Sequence, residues 1–203
     1  MSLVQLIVER GVDAVNTLPE GIRKNKDAVA EAIENNVRRL IIDEQPINPK
    51  YYEKMSELLD ALIEQRRREA LEYQEYLRRI VELTKKVTNP EAGGTYPGTM
   101  NTPGKRALYD NLGRNETLAI ALDTAVRANR QDDWRGNPFK VKKVRNAISA
   151  ELQLAGKHAN DGGHVPEVVV VKPEPILYSG TSPESLEKQV EAVLALVKNQ
   201  DEY

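Results

Sequence analysis

The run of residues 48–88 constrains the fold more than any other feature, because its pattern is helical throughout. Asn48 and Pro49 match a helix cap followed by a first-turn proline, and no further glycine or proline occurs before Pro90. Apolar and tyrosine side chains recur along the run at alternating spacings of four and three residues. The register contains Met55, Leu59, Leu62, Tyr73, Tyr76, Ile80, Leu83 and Val87, with Arg66 and Glu69 at its middle positions. The pattern predicts one long helix of roughly 60 Å that needs packing partners, and it leaves open a kink at the two charged positions.

The composition of the 203-residue chain favours packed helices over sheets. Aromatic residues make up 5% of the sequence, whereas 40% is hydrophobic and 30% charged, which disfavours an aromatic-rich β-sandwich. A net charge of −2 gives no chain-wide attraction for nucleic acid or anionic membranes. Cysteine is absent, so disulfides and thiolate metal sites are excluded. The absence of cysteine is compatible with a reducing cytosol. Because every apolar run is short and flanked by charge, we expect no membrane span.

Segments rich in glycine and proline divide the chain. Residues 89–104 are predicted to form a loop between an N-terminal part, residues 1–88, and a C-terminal part, residues 105–203, and we expect both parts to belong to one domain. Further helices are predicted to begin at Leu3, Asn25, Lys105, Asn115, Pro138 and Thr181. The predicted fold class is therefore mainly α: an irregular multi-helix domain with one long helix and at most a minor strand near 168–171.

Patterns that carry enzymatic chemistry are weak in this chain. No glycine-rich phosphate loop of the Walker or dinucleotide type is present. His158 and His164 share a polar loop with Asp161, but the spacing lacks a helical ligand pair, so we interpret them as solvated loop residues. Nothing around Asp132 and Asp133 indicates a pocket that would shift a carboxyl pKa. We predict no catalytic residue, no metal site and no cofactor site, and we rank an unrecognised carboxylate enzyme last among the alternatives.

Two basic clusters remain as candidate contact sites. Arg66–Arg68 is surrounded by glutamates and is interpreted as a solvated helix face. The second cluster has fewer acidic neighbours and provides the candidate phosphate contacts Lys140, Lys142, Lys143 and Arg145. It follows the only tryptophan and contains the only phenylalanine of the chain, and the candidate partner contacts are Trp134, Arg135 and Phe139. The alternative for the tryptophan is local core packing.

Ordered blocks in both halves of the chain carry a resemblance to a known family. The blocks are Ile42–Tyr52, Leu58–Arg67, Glu75–Leu77, Ala107–Gly113, Asp132–Asn137, Arg145–Ile148 and Val197–Tyr203. Together they resemble the C-terminal helical domain of the restriction subunit of type I restriction endonucleases. The resemblance covers residues 4–152 and 183–203, whereas residues 156–180 do not match the family pattern.

The resemblance implies an assembly role. Such subunits are ATP-dependent DNA translocases and site-specific deoxyribonucleases, and their nuclease and motor lie in regions not present in this chain. The helical tail is implied to join the subunit to the methyltransferase and specificity subunits, and to reach DNA through that complex. ATP and Mg are expected only in the full-length subunit. We therefore expect a cytoplasmic, non-catalytic docking domain; the alternative is an independent nucleic-acid-binding helical module that uses the 140–145 cluster.

Overall fold

The secondary structure is helical in the computed structural model, which describes residues 2–68, 71–93, 96–160 and 183–203. The α-helices are α1 Leu3–Arg10, α2 Glu20–Arg23, α3 Lys26–Glu44, α4 Pro49–Arg67, α5 Tyr73–Thr88, α6 Pro103–Asn111, α7 Glu116–Asn129, α8 Pro138–Asn160 and α9 Pro183–Lys198. Short 3-10 helices span Gly11–Thr17, Pro90–Gly93 and Trp134–Gly136. The mainly α fold class is confirmed, and the predicted strand near 168–171 lies outside the described residues. Across the described ranges, no helix has the length and hydrophobicity needed to cross a bilayer.

The prediction of one long helix over 48–88 is wrong, because the run forms two antiparallel helices, α4 and α5. Near the start of α4, Tyr51 donates a hydrogen bond to the backbone oxygen of Lys86 at 2.6 Å. Its neighbour Tyr52 bonds the backbone oxygen of Val87 at 3.4 Å. Both acceptors lie near the end of α5, so the start of α4 lies beside the end of α5. The apolar register residues of the two helices therefore face each other instead of lining one long helix.

A buried ion pair holds the end of α4. Arg66 donates from Nε and Nη2 to the two carboxylate oxygens of Glu34 on α3, at 2.9 and 3.2 Å. Its Nη1 donates to Asp27 at 2.9 Å, and the hydroxyl of Tyr76 on α5 donates to Glu34 at 2.8 Å. The Arg66 and Glu34 side chains are only 12% and 6% exposed. Arg66 therefore departs from the predicted solvated face, because a buried carboxylate requires a charged partner, whereas its neighbour Arg67 is exposed.

The chain divides into two compact units, Met1–Thr95 and Tyr96–Tyr203, and the boundary lies in the predicted 89–104 loop. That both parts belong to one domain stays a prediction. In the first unit, α1, α3, α4 and α5 bury a core whose largest members include Ile33, Leu59, Tyr76 and Ile80. Asn25 begins α3 as predicted, since its side chain accepts hydrogen bonds from the amides of Asp27 and Ala28.

The second unit packs α6–α9 around its own core. The largest buried side chains are Trp134, Tyr203, Met100, Leu108, Leu112, Leu122 and Ile148. Asn115 caps α7 and Pro138 occupies the first turn of α8, both as predicted. After α6, Gly113 adopts a φ of +64°, which glycine tolerates without steric cost. α8 continues to Asn160, so Gly156 lies within the helix.

Candidate contact surface

The predicted contact residue Trp134 lies in the core of the second unit, bound to the closing residues of the chain. Its side chain is 2% exposed, and its indole Nε1 donates a hydrogen bond to the backbone oxygen of Tyr203 at 2.7 Å. Arg130 Nη1 donates to the same oxygen at 2.8 Å. A buried indole N–H needs such an acceptor. Of the two interpretations of this tryptophan, local core packing describes its position.

Arg135, the second predicted contact residue, binds the end of α9. Its guanidinium donates to the backbone oxygen of Lys198 at 2.9 Å and also to that of Gln200. The last carbonyls of a helix have no partner within the helix, so an arginine placed there satisfies them and complements the helix dipole. The same guanidinium lies 5.5 Å from the Trp134 ring centroid. Arg135 therefore joins the segment that contains Trp134 to the end of α9 within the second unit.

The side chains of the closing residues extend this internal cluster. The Tyr203 hydroxyl donates to Asp123 at 2.6 Å, and Arg127 donates to the same carboxylate oxygen at 2.9 Å. Burial, together with the hydrogen bond to Asp123, raises the pKa of Tyr203 above its ordinary value. Glu202 accepts hydrogen bonds from the Thr102 hydroxyl at 2.9 Å and from a backbone amide of α6. The closing residues are thus an integral part of the second unit.

The close approach of Gly104 to these residues gives a stability prediction. A Cβ at Gly104 would lie 2.2 Å from Glu202 Oε1 and 2.8 Å from a ring carbon of Tyr203. We expect Gly104→Ala to lower the free energy of unfolding of the second unit by about 1–3 kcal/mol, although alanine normally favours a helix over glycine. Urea unfolding followed by the fluorescence of the single tryptophan measures this. At Gly98 no atom lies within 4 Å of an added Cβ, so Gly98→Ala is the control. Equal effects of the two variants on the free energy of unfolding would contradict a steric clash at Gly104.

Phe139, like Arg135, is a predicted contact residue that is exposed to solvent. Its side chain is 82% exposed, in the first turn of α8. Asn137 fixes this turn, since its side chain accepts hydrogen bonds from the amides of Phe139 and Lys140 at 3.0 and 3.3 Å. The helix start therefore presents a large aromatic side chain to solvent, where it is available for contact with a partner.

The four predicted phosphate contacts have different environments. Lys140 donates to the backbone oxygen of Asp132 at 2.6 Å. Arg145 binds two carboxylates of α9, Glu191 at 2.7 Å and Glu187. Lys142 and Lys143 are exposed, and no carboxylate among the described residues pairs with them. The positive charge that is most accessible to a partner is therefore that of these two lysines, because Lys140 is partly buried and bonded to a backbone oxygen and the charge of Arg145 is balanced by α9.

Metal-type ligands do not gather in the part of the chain that the structure describes. Within those ranges, no group of three or more histidine, aspartate or glutamate residues has the arrangement of a metal site. The predicted loop residues Asp161 and His164 lie outside the described residues, as does the side chain of His158. Asp132 and Asp133 are exposed. That this chain catalyses no reaction stays a prediction.

A second surface feature is a groove between α3 and α4 in the first unit. Its wall includes the exposed Ile42 and the buried Tyr52. Arg38 and Asp60 lie on its rim and bind each other at 2.5 Å. The lining also includes Glu53 and Glu57, so it carries one cation and three carboxylates and does not suit a phosphate or nucleic-acid ligand. The start of α8 is therefore the better candidate contact surface.

Comparison with known proteins gives no relative, since no family model, curated protein or solved structure matches the chain. The resemblance to type I restriction subunits depends on the sequence blocks alone.

Proposed function

We propose that this chain is the C-terminal assembly domain of the restriction subunit of a type I restriction endonuclease. In this role it docks the subunit's ATP-dependent translocase and nuclease onto the methyltransferase and specificity subunits, in the cytoplasm. DNA is reached through the complex. The chain itself carries out no catalysis, and ATP and Mg act in the other regions of the full-length subunit.

One observation about the resembling blocks carries this proposal. Asp132–Asn137 and Val197–Tyr203 were singled out from sequence alone, and they meet in space. Trp134 and Arg135 of the first block bind backbone oxygens of the second block across 69 and 63 residues of sequence. The two resembling blocks thus form one structural cluster, as a shared domain architecture requires.

The exposed start of α8 supports a docking role in particular. Phe139 offers a large aromatic side chain at the surface, flanked by two lysines that no described carboxylate neutralises. Aromatic side chains of this kind are enriched among the residues that dominate binding energy at protein interfaces. The chain thus offers an aromatic anchor with a charged rim.

Binding of the purified chain to the cognate methyltransferase–specificity complex tests the proposal. A DNA duplex alone, at two salt concentrations, is the parallel ligand. We expect the chain to bind the protein complex and not the isolated duplex. Salt-sensitive binding to the duplex without binding to the complex would contradict the proposal.

Phe139→Ala gives a sharper prediction for the same assay. We expect affinity for the complex to fall by about tenfold or more, as for an aromatic anchor. The free energy of unfolding should change by less than about 0.5 kcal/mol, because the side chain is exposed. The control is Ile120→Ala on α7, which removes another exposed apolar side chain of the second unit, at 36% exposure. Unchanged affinity of Phe139→Ala would remove the start of α8 from the interface.

The second candidate function is a nucleic-acid-binding module that uses the 140–145 cluster. The two unpaired lysines favour it, whereas the ion pairs of Arg145 with α9 weaken it. Two phosphate contacts would give a slope of only about −2 in a plot of log affinity against log salt. A markedly steeper slope for the isolated duplex would support this candidate over the docking domain.

A further inference from the structure

The exposed residues of α8 form one continuous face. After Pro138, every exposed residue described in this helix falls within an arc of about 120° at 100° per residue. We call this face the α8 stripe, and its charged, apolar and small members are Phe139, Lys142, Lys143, Ala150, Leu154 and Lys157. At 1.5 Å per residue the stripe is about 27 Å long. It is long enough to contact a second helix over several turns.

The charge of the α8 stripe has one sign. It carries three lysines and no carboxylate, although the whole chain has a net charge of −2. Glu151, which is partly buried, is the only acidic residue between Pro138 and Asn160, and it lies outside the arc. Several other exposed cations lie beside carboxylates, as in the pair of Lys188 with Glu184 at 3.1 Å. The stripe has no carboxylate of its own that would compensate its three lysines.

Apolar side chains stand at both ends of the stripe. Phe139 and Leu154 are 82% and 49% exposed, and they account for two of the three large exposed apolar side chains described in the second unit. Between them, Ala150 presents only a methyl group. A small residue between two larger ones lets another helix approach closely, as in ridge-and-groove packing. The positions at spacings of four and three along this face are Phe139, Lys143, Asn146, Ala150, Gln153 and Lys157, so the face is mainly polar with an aromatic and a small member.

We infer that the α8 stripe docks an acidic helix of the methyltransferase–specificity complex. This inference depends on the proposed function and names the surface and the chemistry of the partner. The lysines pair with aspartate and glutamate on the partner helix, while Phe139 and Leu154 enter apolar pockets beside it. A nucleic acid backbone fits the stripe less well, because Ala150 and Leu154 would face phosphates with which they make no favourable contact.

A negative charge placed in the middle of the stripe provides the first test. Ala150→Glu puts a carboxylate opposite the acidic helix, and glutamate keeps a good helix propensity. We expect the affinity of the full chain for the methyltransferase–specificity complex to fall about tenfold or more. The matched control is Ala195→Glu, an exposed alanine of α9 in the same unit, which should bind as the unaltered chain does.

A second variant guards against an effect on folding. Phe139→Ala with Leu154→Ala removes only exposed apolar atoms, so the far-ultraviolet circular dichroism and the urea midpoint should stay unchanged. We expect a loss of affinity as large as that of Ala150→Glu. Binding that is unaffected by this double variant would overturn the inference even if Ala150→Glu were unfolded.

Cross-linking identifies the chemistry of the partner. The chain contains no cysteine, so Ala150→Cys creates a unique thiol for a photoactivated cross-linker, with Ala195→Cys as the control. We expect cross-links from position 150 to a partner helix rich in aspartate and glutamate, and few from position 195. Cross-links to a segment without acidic residues, or to DNA in a complex assembled on a duplex, would overturn the inference.

The outcomes separate the inference from the proposed function. If the unaltered chain binds the complex and the stripe variants bind equally well, the docking surface is overturned and the proposed function stands. If the unaltered chain does not bind the complex, the proposed function fails and the inference fails with it.

Discussion

Trp134→Ala is expected to destabilise the second unit by about 3–5 kcal/mol, which is a large fraction of the stability of a domain of this size. The variant removes one of the largest fully buried side chains and leaves a cavity. It also removes the indole donor to the backbone oxygen of Tyr203. Hydrogen–deuterium exchange measured by mass spectrometry follows this effect, because amides of α7 and α8 should exchange faster while those of the first unit stay protected.

The control for Trp134→Ala is Phe139→Ala, five residues along the chain. Both residues are predicted from the sequence to be partner contacts, yet Trp134 is buried and Phe139 is exposed. Phe139→Ala should leave exchange in α7 and α8 unchanged. If Trp134→Ala left exchange unchanged as well, the tryptophan would not be part of the core.

Arg66→Met is expected to cost the first unit about 3–5 kcal/mol, since it leaves the buried Glu34 without its cation. Methionine keeps an extended apolar side chain, so the loss is one of charge pairing more than of packing. Urea unfolding followed by circular dichroism measures the change. The control is Arg67→Met at the exposed neighbouring position, where a change within about 0.5 kcal/mol is expected.

A double variant separates the cost of the unpaired charge from that of the lost contact. Glu34→Gln with Arg66→Met removes both charges but keeps an oxygen that accepts the hydrogen bond from the Tyr76 hydroxyl. The double variant should therefore be more stable than Arg66→Met alone. A double variant that is less stable than either single change would show that the network stabilises through more than charge compensation.

Helix starts could be predicted from the sequence, because their determinants are local. The side chains of Asn25, Asn48 and Asn115 each accept hydrogen bonds from amides within three residues, and Pro138 needs no partner for its position in the first turn. The reversal between α4 and α5 was missed for the opposite reason. No glycine or proline marks it, and two antiparallel helices show the same apolar register as one long helix.

The candidate site shows the same limit of sequence reasoning. The aromatic and basic residues near Phe139 were found from their types alone. Whether each was available to a partner depended on residues far along the chain, such as Tyr203 for Trp134 and the glutamates of α9 for Arg145. The α8 stripe cannot be predicted from the sequence, because most of its positions are polar and show no apolar periodicity.

The hydrogen bonds between the α6 region and the closing residues have a consequence for synthesis on the ribosome. Contacts within the first unit are complete once α5 has been made, so this unit can form while translation continues. The second unit depends on bonds such as that from Thr102 to Glu202, which spans 100 residues. Its tryptophan therefore has no acceptor until Tyr203 has left the exit tunnel. A nascent chain released before that point would carry a folded first unit and an incomplete second unit, which chaperones and proteases would recognise.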